Sequence, residues 1–329
     1  MINMEQTALI TLPNRSYIDF EEIPSTSRPF IEANTLQSSL QEIKAEHIIP
    51  VFKDNEPVIS HSDLIETAIS VANDLFPLQR ILSPNIRLSH PIQGRIPSAK
   101  NKLSRDLLGH EKTLHYERMA FVIEIPSVTE VIGGNQVSLT IGGVKAYNLD
   151  NLSLKKGTGE VFKIFIGFQN KVCTNMCVWS DGYKADLKVR SIEELRNAIY
   201  CLFNSYNIDH HIKSMKALTN CNISEQQFVQ LIGRCKLYQY LPPNMKASLP
   251  FLAFGDTQIS SICKDYYRDK SFCRNDDGSI SLWKVYNLFT EANKSSYIDT
   301  FLDRSVNAFQ FAEGIKNAVK HNQVSWFLQ

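Results

Sequence analysis

Residues 121–125 (FVIEI) and 136–141 (QVSLTI) flank Gly133, Gly134 and Asn135, and the prediction of the fold class starts from this stretch. Both flanking segments are rich in β-branched residues, which favour strands. Glycine accepts the positive φ angles that a tight hairpin turn requires. The stretch therefore predicts two antiparallel strands joined by a short turn.

More strand patterns lie on either side of this hairpin. Two turn signals, Gln169-Asn170 and Asp181-Gly182, separate the later ones. Together they predict an antiparallel meander of about five strands. Besides the central hairpin, the predicted strands are 87–92, 161–168 (VFKIFIGF), 171–179 (KVCTNMCVW) and 183–190.

Helical patterns dominate the remainder of the chain. Ser191 and Ser224 each begin a capping box that precedes apolar residues at helical spacing. An earlier helix is predicted from Ser62, as its N-cap, to Pro77. Helices are also predicted at 256–269, 282–292 and 296–321.

These elements predict the α+β class: a central antiparallel β-meander with a trailing helix, followed by an all-helical C-terminal region. We divide the chain into four regions. They are an extended or disordered acidic arm (1–45), a strand–turn–helix unit (46–85), a sheet-plus-helix core (86–207) and a helical region (208–329).

The charge is spread unevenly over the 329 residues. The chain has 35 basic and 34 acidic residues, a net charge of +1. Residues 1–80 carry five basic and 12 acidic residues, a net charge of −7, so the rest sums to +8. Windows of this size also vary by several charges by chance. The total alone therefore does not argue against a nucleic-acid partner.

The apolar and cysteine patterns bear on location. No apolar run reaches the ~18 residues that a membrane span needs, and the first 13 residues lack the layout of a signal peptide. Seven cysteines without a secretion signal indicate reduced thiols, and we expect buried, inert ones. We therefore expect a cytoplasmic protein without a membrane partner.

Two segments resemble metal-binding motifs, but neither has the residues or the spacing that such a site requires. His110 and His115 are five residues apart, whereas a zinc-peptidase helix needs four, so we interpret this segment as a surface helix. Asn275-Asp276-Asp277-Gly278 lacks the carboxylates that an EF-hand requires at its first and twelfth positions. We expect no metal, no cofactor and no identifiable catalytic residue, although a paired-carboxylate enzyme stays open.

Cations and aromatic residues lie together on the predicted strands and on the loop before them. Lys163 and Phe165 share one face of their strand, while Phe162 and Phe168 share the other and are expected in the core. The first face is either solvated, which is commoner, or a surface for single-stranded nucleic acid. The candidate nucleic-acid-binding residues are Arg95, Lys100, Lys102, Arg105, Lys145, Tyr147, Lys155, Lys156, Lys163, Lys171, Lys184, Lys188 and Arg190.

Distinctive motifs recur along the chain at 86–97, 113–119, 142–148, 162–168, 172–175, 231–235, 264–267, 287–290 and 294–299. Together they resemble the domain-of-unknown-function family 3871, found mainly in Bacteroidetes genomes and their mobile elements. The likeness extends over nearly the whole chain, from about residue 31 to 328, with His115 where the family pattern suggests tyrosine. Segments 172–175 and 286–291 also resemble the phage- and plasmid-borne domain-of-unknown-function family 932.

Three functions follow as hypotheses. The resemblance implies a role in mobile-element DNA metabolism, so the first is a non-enzymatic DNA-associated protein that binds or anneals single strands. Fold-level analogy with annealing proteins adds a homo-oligomer. The second is a protein-interaction factor, antirestriction or host-takeover, suggested by the acidic residues 1–80. The third is an enzyme of unrecognised class.

Overall fold

The computed structural model describes residues 28–47, 58–150 and 158–329. The strands of this part are β1 (Leu36–Ser38), β2 (Asn85–Leu88), β3 (Pro91–Arg95), β4 (Lys112–Tyr116), β5 (Arg118–Ile132), β6 (Asn135–Ala146), β7 (Glu160–Asn170), β8 (Met176–Cys177), β9 (Tyr183–Val189), β10 (Asn222–Ile223) and β11 (Ile280–Ser281). The helices are α1 (Leu40–Glu46), α2 (His61–Leu75), α3 (Tyr147–Asp150), α4 (Ile192–Ser205), α5 (Ile208–Thr219), α6 (Glu225–Tyr238), α7 (Pro243–Lys246), α8 (Asp256–Arg268), α9 (Leu282–Asn293) and α10 (Ile298–Lys320).

The main sheet has seven antiparallel strands in the order β1-β2-β5-β6-β7, with both β8 and β9 on the far edge of β7. Its longest part is the predicted hairpin of β5 and β6, which pairs Ile123 with Ile141 and turns at Gly133 and Gly134. These glycines have φ angles of +54° and +81°, the left-handed region that a side chain would resist. The α+β class and the central antiparallel sheet are confirmed, with seven strands instead of about five.

Both faces of the sheet are buried. One face carries Phe121, Ile123 and Phe162 and packs against α2, α4 and α5. The opposite face carries Val122 and Phe165 and is covered by the first half of α10. The prediction that Phe162 and Phe168 lie in the core is confirmed. The solvated face expected at Lys163 and Phe165 is wrong, because α10 covers it.

The strand order near residue 180 differs from the predicted hairpin. Strand β9 pairs with β7 and not with β8, which is only two residues long. The chain turns at Thr174, whose φ angle is +59°, and then stays close to β7. A Cβ atom on Gly182 would lie 2.1 Å from the carbonyl oxygen of Ile166, so only glycine permits this approach. The Asp181-Gly182 pair predicted a turn at this glycine, but it did not indicate which strand the glycine contacts.

The capping predictions are correct for α4 and α6 and two residues late for α2. Ser191 and Ser224 accept main-chain N–H groups at the starts of α4 and α6. Helix α2 is capped by Ser60, whose reciprocal bonds with Asp63 form the capping box, and not by Ser62. The described part of the predicted N-terminal arm holds β1 and α1, because Ser39 caps α1 in the same way.

A second, two-stranded sheet stands outside the main one. Strands β3 and β4 pair in the register Arg95 with Lys112, and a loop of short 3-10 turns joins them. We call residues 91–116 the basic arm. The segment around His110, interpreted as a surface helix, is instead a 3-10 turn leading into β4.

Candidate nucleic-acid interface

The predicted binding residues that the structure describes fall into three groups. The first is buried or held by carboxylates, the second is exposed on β9 or directly after it, and the third lies on the basic arm. Lys155 and Lys156 lie outside the described residues. The predicted residues therefore do not share one open surface.

Lys145 lies at the centre of a buried ionic cluster. Its Nζ donates to Asp150 Oδ2 and to Glu160 Oε2, each at 2.7 Å, and its side chain is fully buried. The other oxygens of both carboxylates accept main-chain N–H groups, those of Val161 for Asp150 and of Ile59 for Glu160. Burial raises the pKa of Asp150, and the nearby ammonium group opposes that rise. Lys145 thus ties β6, α3, β7 and the start of α2 together.

Tyr147 packs against two histidines beside this cluster. His47 Nε2 lies 3.1 Å from the Tyr147 hydroxyl, and the His47 ring stacks on His61 at 4.6 Å. Burial raises the pKa of Tyr147 well above its usual range. Burial also lowers the pKa of His47 to about 4 and that of His61 well below its usual range. Both histidines are therefore neutral near pH 7.

The two histidines fasten the base of the basic arm. The main-chain N–H of Tyr116, the last residue of β4, donates to His47 Nδ1 at 3.4 Å. Its carbonyl oxygen accepts from His61 Nε2 at 2.7 Å. Because Nδ1 of His47 accepts this bond, the proton of its neutral ring lies on Nε2. Local sequence patterns do not predict this contact, since His47 and His61 lie far from β4 in the sequence.

Lys163 and Lys171 are held by carboxylates. Lys163 donates to the carbonyl oxygen of Asp299 at 2.6 Å and to the carboxylate of Asp303, both on α10. Lys171 forms a 2.7 Å ion pair with Glu124 on β5. These bonds join the sheet to α10 and β7 to β5. Lys163 and Lys171, like Lys145 and Tyr147, therefore serve contacts within the fold.

Strand β9 presents a second group of cations at the edge of the sheet. Lys184 and Lys188 are exposed, and Arg190 follows directly after the strand. Asp186, between the two lysines, is exposed on the same face of the strand. This face is therefore mixed in charge.

The basic arm carries an excess of positive charge over a short stretch of chain. Residues 91–116 hold five basic and two acidic residues, a net charge of +3. The side chains of Lys100 and Lys112 form no hydrogen bond or ion pair with any residue that the structure describes, and both are exposed. Arg105 is also exposed, with only its neighbour Asp106 at 3.7 Å. Three exposed cations are thus accessible to an anion, and only Arg105 among them has an acidic neighbour.

The remaining two cations give the arm its shape. Arg95 donates to the main-chain oxygen of Lys102 and to Ser104 Oγ at 3.2 Å. Lys102 pairs with Glu111, a buried carboxylate that also accepts the N–H of Leu108. These contacts close the loop between β3 and β4. Arg95 and Lys102 are therefore positioning residues. Lys112 is not among the predicted binding residues, because the sequence of its segment resembles a helix.

Apolar side chains accompany the free cations on the arm. Ile92, Leu103 and Leu108 are 40%, 57% and 55% exposed. Exposed leucines in a cationic loop can pack on the unstacked bases of a single strand or on the apolar surface of a protein. The arm therefore combines charge with a contact surface.

A buried histidine and a cleft beside α5 are two further features of the described structure. The pKa of His211 is lowered to about 3 by burial, but this ring lies between Phe309, Trp179 and Phe168. A cleft of about 510 Å³ beside α5 is open to solvent and has mixed charge, including Asp209 and Lys213.

The described residues contain no group of three or more potential metal ligands. No helix in the described ranges is long and apolar enough to cross a membrane.

Comparison with known proteins gives one match. The sequence model of the family described as "Domain of unknown function, B. Theta Gene description (DUF3871)" matches residues 14–328, nearly the whole chain. No curated protein and no solved structure matches the chain.

Proposed function

The chain belongs to the DUF3871 family, and we propose that it is a non-enzymatic, DNA-associated accessory protein that contacts single-stranded DNA through its basic arm. The observation that carries this proposal is the group of three exposed cations, Lys100, Arg105 and Lys112, on a hairpin outside the main sheet. Phosphate contacts of this kind supply most of the affinity of sequence-independent binders. The setting that we propose is a phage, plasmid or other mobile element, acting in the cytoplasm.

The geometry of the arm supports this use. The register of β3 and β4 and the bonds of Arg95 and Lys102 fix the loop before any ligand arrives. A fixed loop loses less conformational entropy on binding than a flexible one does.

A salt-titrated gel shift with a labelled single-stranded oligonucleotide tests this function. We expect binding at about 50 mM salt that weakens as salt rises, because phosphate contacts release counterions. The variant K100A/R105A/K112A should bind more weakly. The matched variant K264A/R268A/K270A removes three exposed cations from the end of α8 and its following turn, and should bind like the wild type. Absent binding at about 50 mM, or equal losses in both variants, would overturn the proposal.

A second function has its own observation. The exposed Leu103 and Leu108 at the loop of the arm suit a protein partner, and the acidic residues 1–80 suit a partner that normally binds DNA. In that case the protein would show no affinity for oligonucleotides. A partner captured from host lysate would be lost with L103S/L108S but retained with V324S, a matched change at another exposed apolar residue.

A further inference from the structure

The basic arm continues one strand pair of the main sheet beyond an interruption. The ladder of β2 with β5 ends at the pair Leu88 and Met119, and the ladder of the arm begins at the pair Pro91 and Tyr116. Both strands advance by three residues between these two pairs, so the two ladders share one register. The arm is therefore an extension of the main sheet that is interrupted at a single place.

The interruption has the hydrogen bonds of a hinge. The N–H of Ser89 donates to the carbonyl oxygen of Arg118 at 2.9 Å, but the N–H of Arg118 donates to the side-chain Oγ of Ser89 at 3.1 Å. Neither ladder pairs His90 with Glu117. The carbonyl oxygen of Glu117 instead accepts the N–H of Tyr147 at 2.9 Å. The ribbon can therefore bend at Ser89, His90 and Glu117, the hinge, while both ladders stay intact.

Beyond the hinge, two histidines hold the arm at its base. No apolar side chain that the structure describes in residues 91–115 belongs to the hydrophobic core or packs against it. Tyr116 does pack against the core, and its main chain is bonded twice. Its N–H donates to His47 Nδ1 and its carbonyl oxygen accepts from His61 Nε2. The angle of the arm to the main sheet therefore depends on these two bonds more than on apolar packing.

The imidazole of His61 is unfavourable for the stability of the core. The ring is fully buried, and its Nδ1 has no hydrogen-bond partner in the described structure. A buried nitrogen without a partner destabilises a fold by the desolvation of that group. A leucine would avoid this loss, but it could not donate to the carbonyl oxygen of Tyr116. The bond to the arm therefore explains a histidine here, whereas core packing does not.

We propose that His47 and His61 hold the basic arm at a fixed angle to the main sheet, and that this angle presents the cations of the arm to a single strand. Both histidines are thus positioning residues that act through Tyr116. The first half of the proposal concerns the fold alone, and the second half rests on the proposed function. Loss of one bond should shift the equilibrium between held and released arm by about threefold to tenfold. A larger released fraction lowers the apparent affinity for a ligand of the held form.

Hydrogen exchange measured by mass spectrometry tests the first half without DNA, because local opening exposes amides to solvent. H61L removes the donor to Tyr116, whereas H61Q keeps a side-chain N–H donor. H61L should speed exchange of residues 112–118 by about threefold to tenfold, while H61Q stays near the wild type. Peptides from β6 and β7 should not change in either variant. Unchanged exchange in H61L, an equal rise in β6 and β7, or H61Q as fast as H61L would overturn the proposal.

Two further variants separate the role of the bonds from general stability. H47A changes a half-buried residue and removes the acceptor of the Tyr116 N–H, so it should speed exchange of the same peptide. H47N, whose side-chain oxygen can accept this N–H, should restore slow exchange. G182A, whose Cβ would crowd Ile166 on β7, should speed exchange there and not at residues 112–118. Equal exchange of residues 112–118 in H47A and G182A would contradict the assignment.

Single-strand binding tests the second half. In the gel shift at about 50 mM salt, H61L should bind the labelled oligonucleotide at least about threefold more weakly than the wild type, and H61Q should bind like it. Wild-type affinity in an H61L protein whose arm exchanges faster would overturn the positioning role. A wild type that does not bind would overturn the proposed function and this role with it. The exchange measurement would still decide whether the histidines hold the arm.

Discussion

Replacing Lys145 with methionine tests whether this residue holds the fold together. Lys145 and Asp150 are fully buried, and Glu160 is nearly so. Removing the ammonium group leaves two carboxylates in the core without their counter-ion, which costs about 3–5 kcal/mol. That is a fifth or more of the roughly 5–15 kcal/mol that stabilises a typical domain.

The free energy of unfolding from urea titrations measures this loss. The matched variant K112M removes an exposed lysine from β4 and should change the free energy by no more than about 0.5 kcal/mol. Adding D150N and E160Q to K145M should restore part of the stability, because the unpaired charges are then gone. The deficit of K145M should also shrink as the pH falls, since burial raises the pKa of Asp150 and a proton then neutralises this carboxylate. A K145M protein within about 1 kcal/mol of the wild type would refute the reasoning.

Three further predictions concern stability and reactivity. The pKa of His47 is about 4 in the folded protein and near 6.5 unfolded, so the unfolded state binds the proton first. Stability should therefore fall between about pH 6.5 and 4, by no more than about 3 kcal/mol, and H47Q should flatten this decline in urea titrations at the two pH values. G182A should lower the melting temperature, because its Cβ would lie 2.1 Å from a carbonyl oxygen. G109A, which has open space around its Cβ position, should keep the wild-type melting temperature. Equal melting temperatures for the two variants would contradict the close packing at Gly182. Burial raises the pKa of Cys177 to about 12, so exposed Cys201 should react with a thiol reagent in the native protein while Cys177 reacts only on unfolding.

Local signals in the sequence predicted the elements well. The turn at Gly133 and Gly134, the caps at Ser191 and Ser224, and the C-terminal helices depend on residues close together in the chain, and the structure has them. The pairing of β9 with β7 was not predictable in this way. It depends on a close approach of Gly182 to a strand more than ten residues earlier.

The burial of the candidate binding lysines also depends on contacts that local sequence patterns do not predict. A lysine in an alternating strand normally marks the solvent face, so Lys145 and Lys163 were expected on a surface. Their burial depends on carboxylates that only the fold supplies, and Asp303 lies 140 residues from Lys163. The loop cations Lys100 and Arg105 are exposed as expected, because no apolar pattern there demands burial.

The salt dependence of single-strand binding tests whether the basic arm contacts the phosphates of DNA. Each phosphate contact contributes about −0.7 to the slope of log K against log salt for a single strand. If Lys100, Arg105 and Lys112 each contact a phosphate, the slope for K100A/R105A/K112A should be shallower than that of the wild type by about 2. K264A/R268A/K270A should keep the wild-type slope. Equal slopes for the wild type and the arm variant would contradict the assignment of the basic arm as the DNA interface.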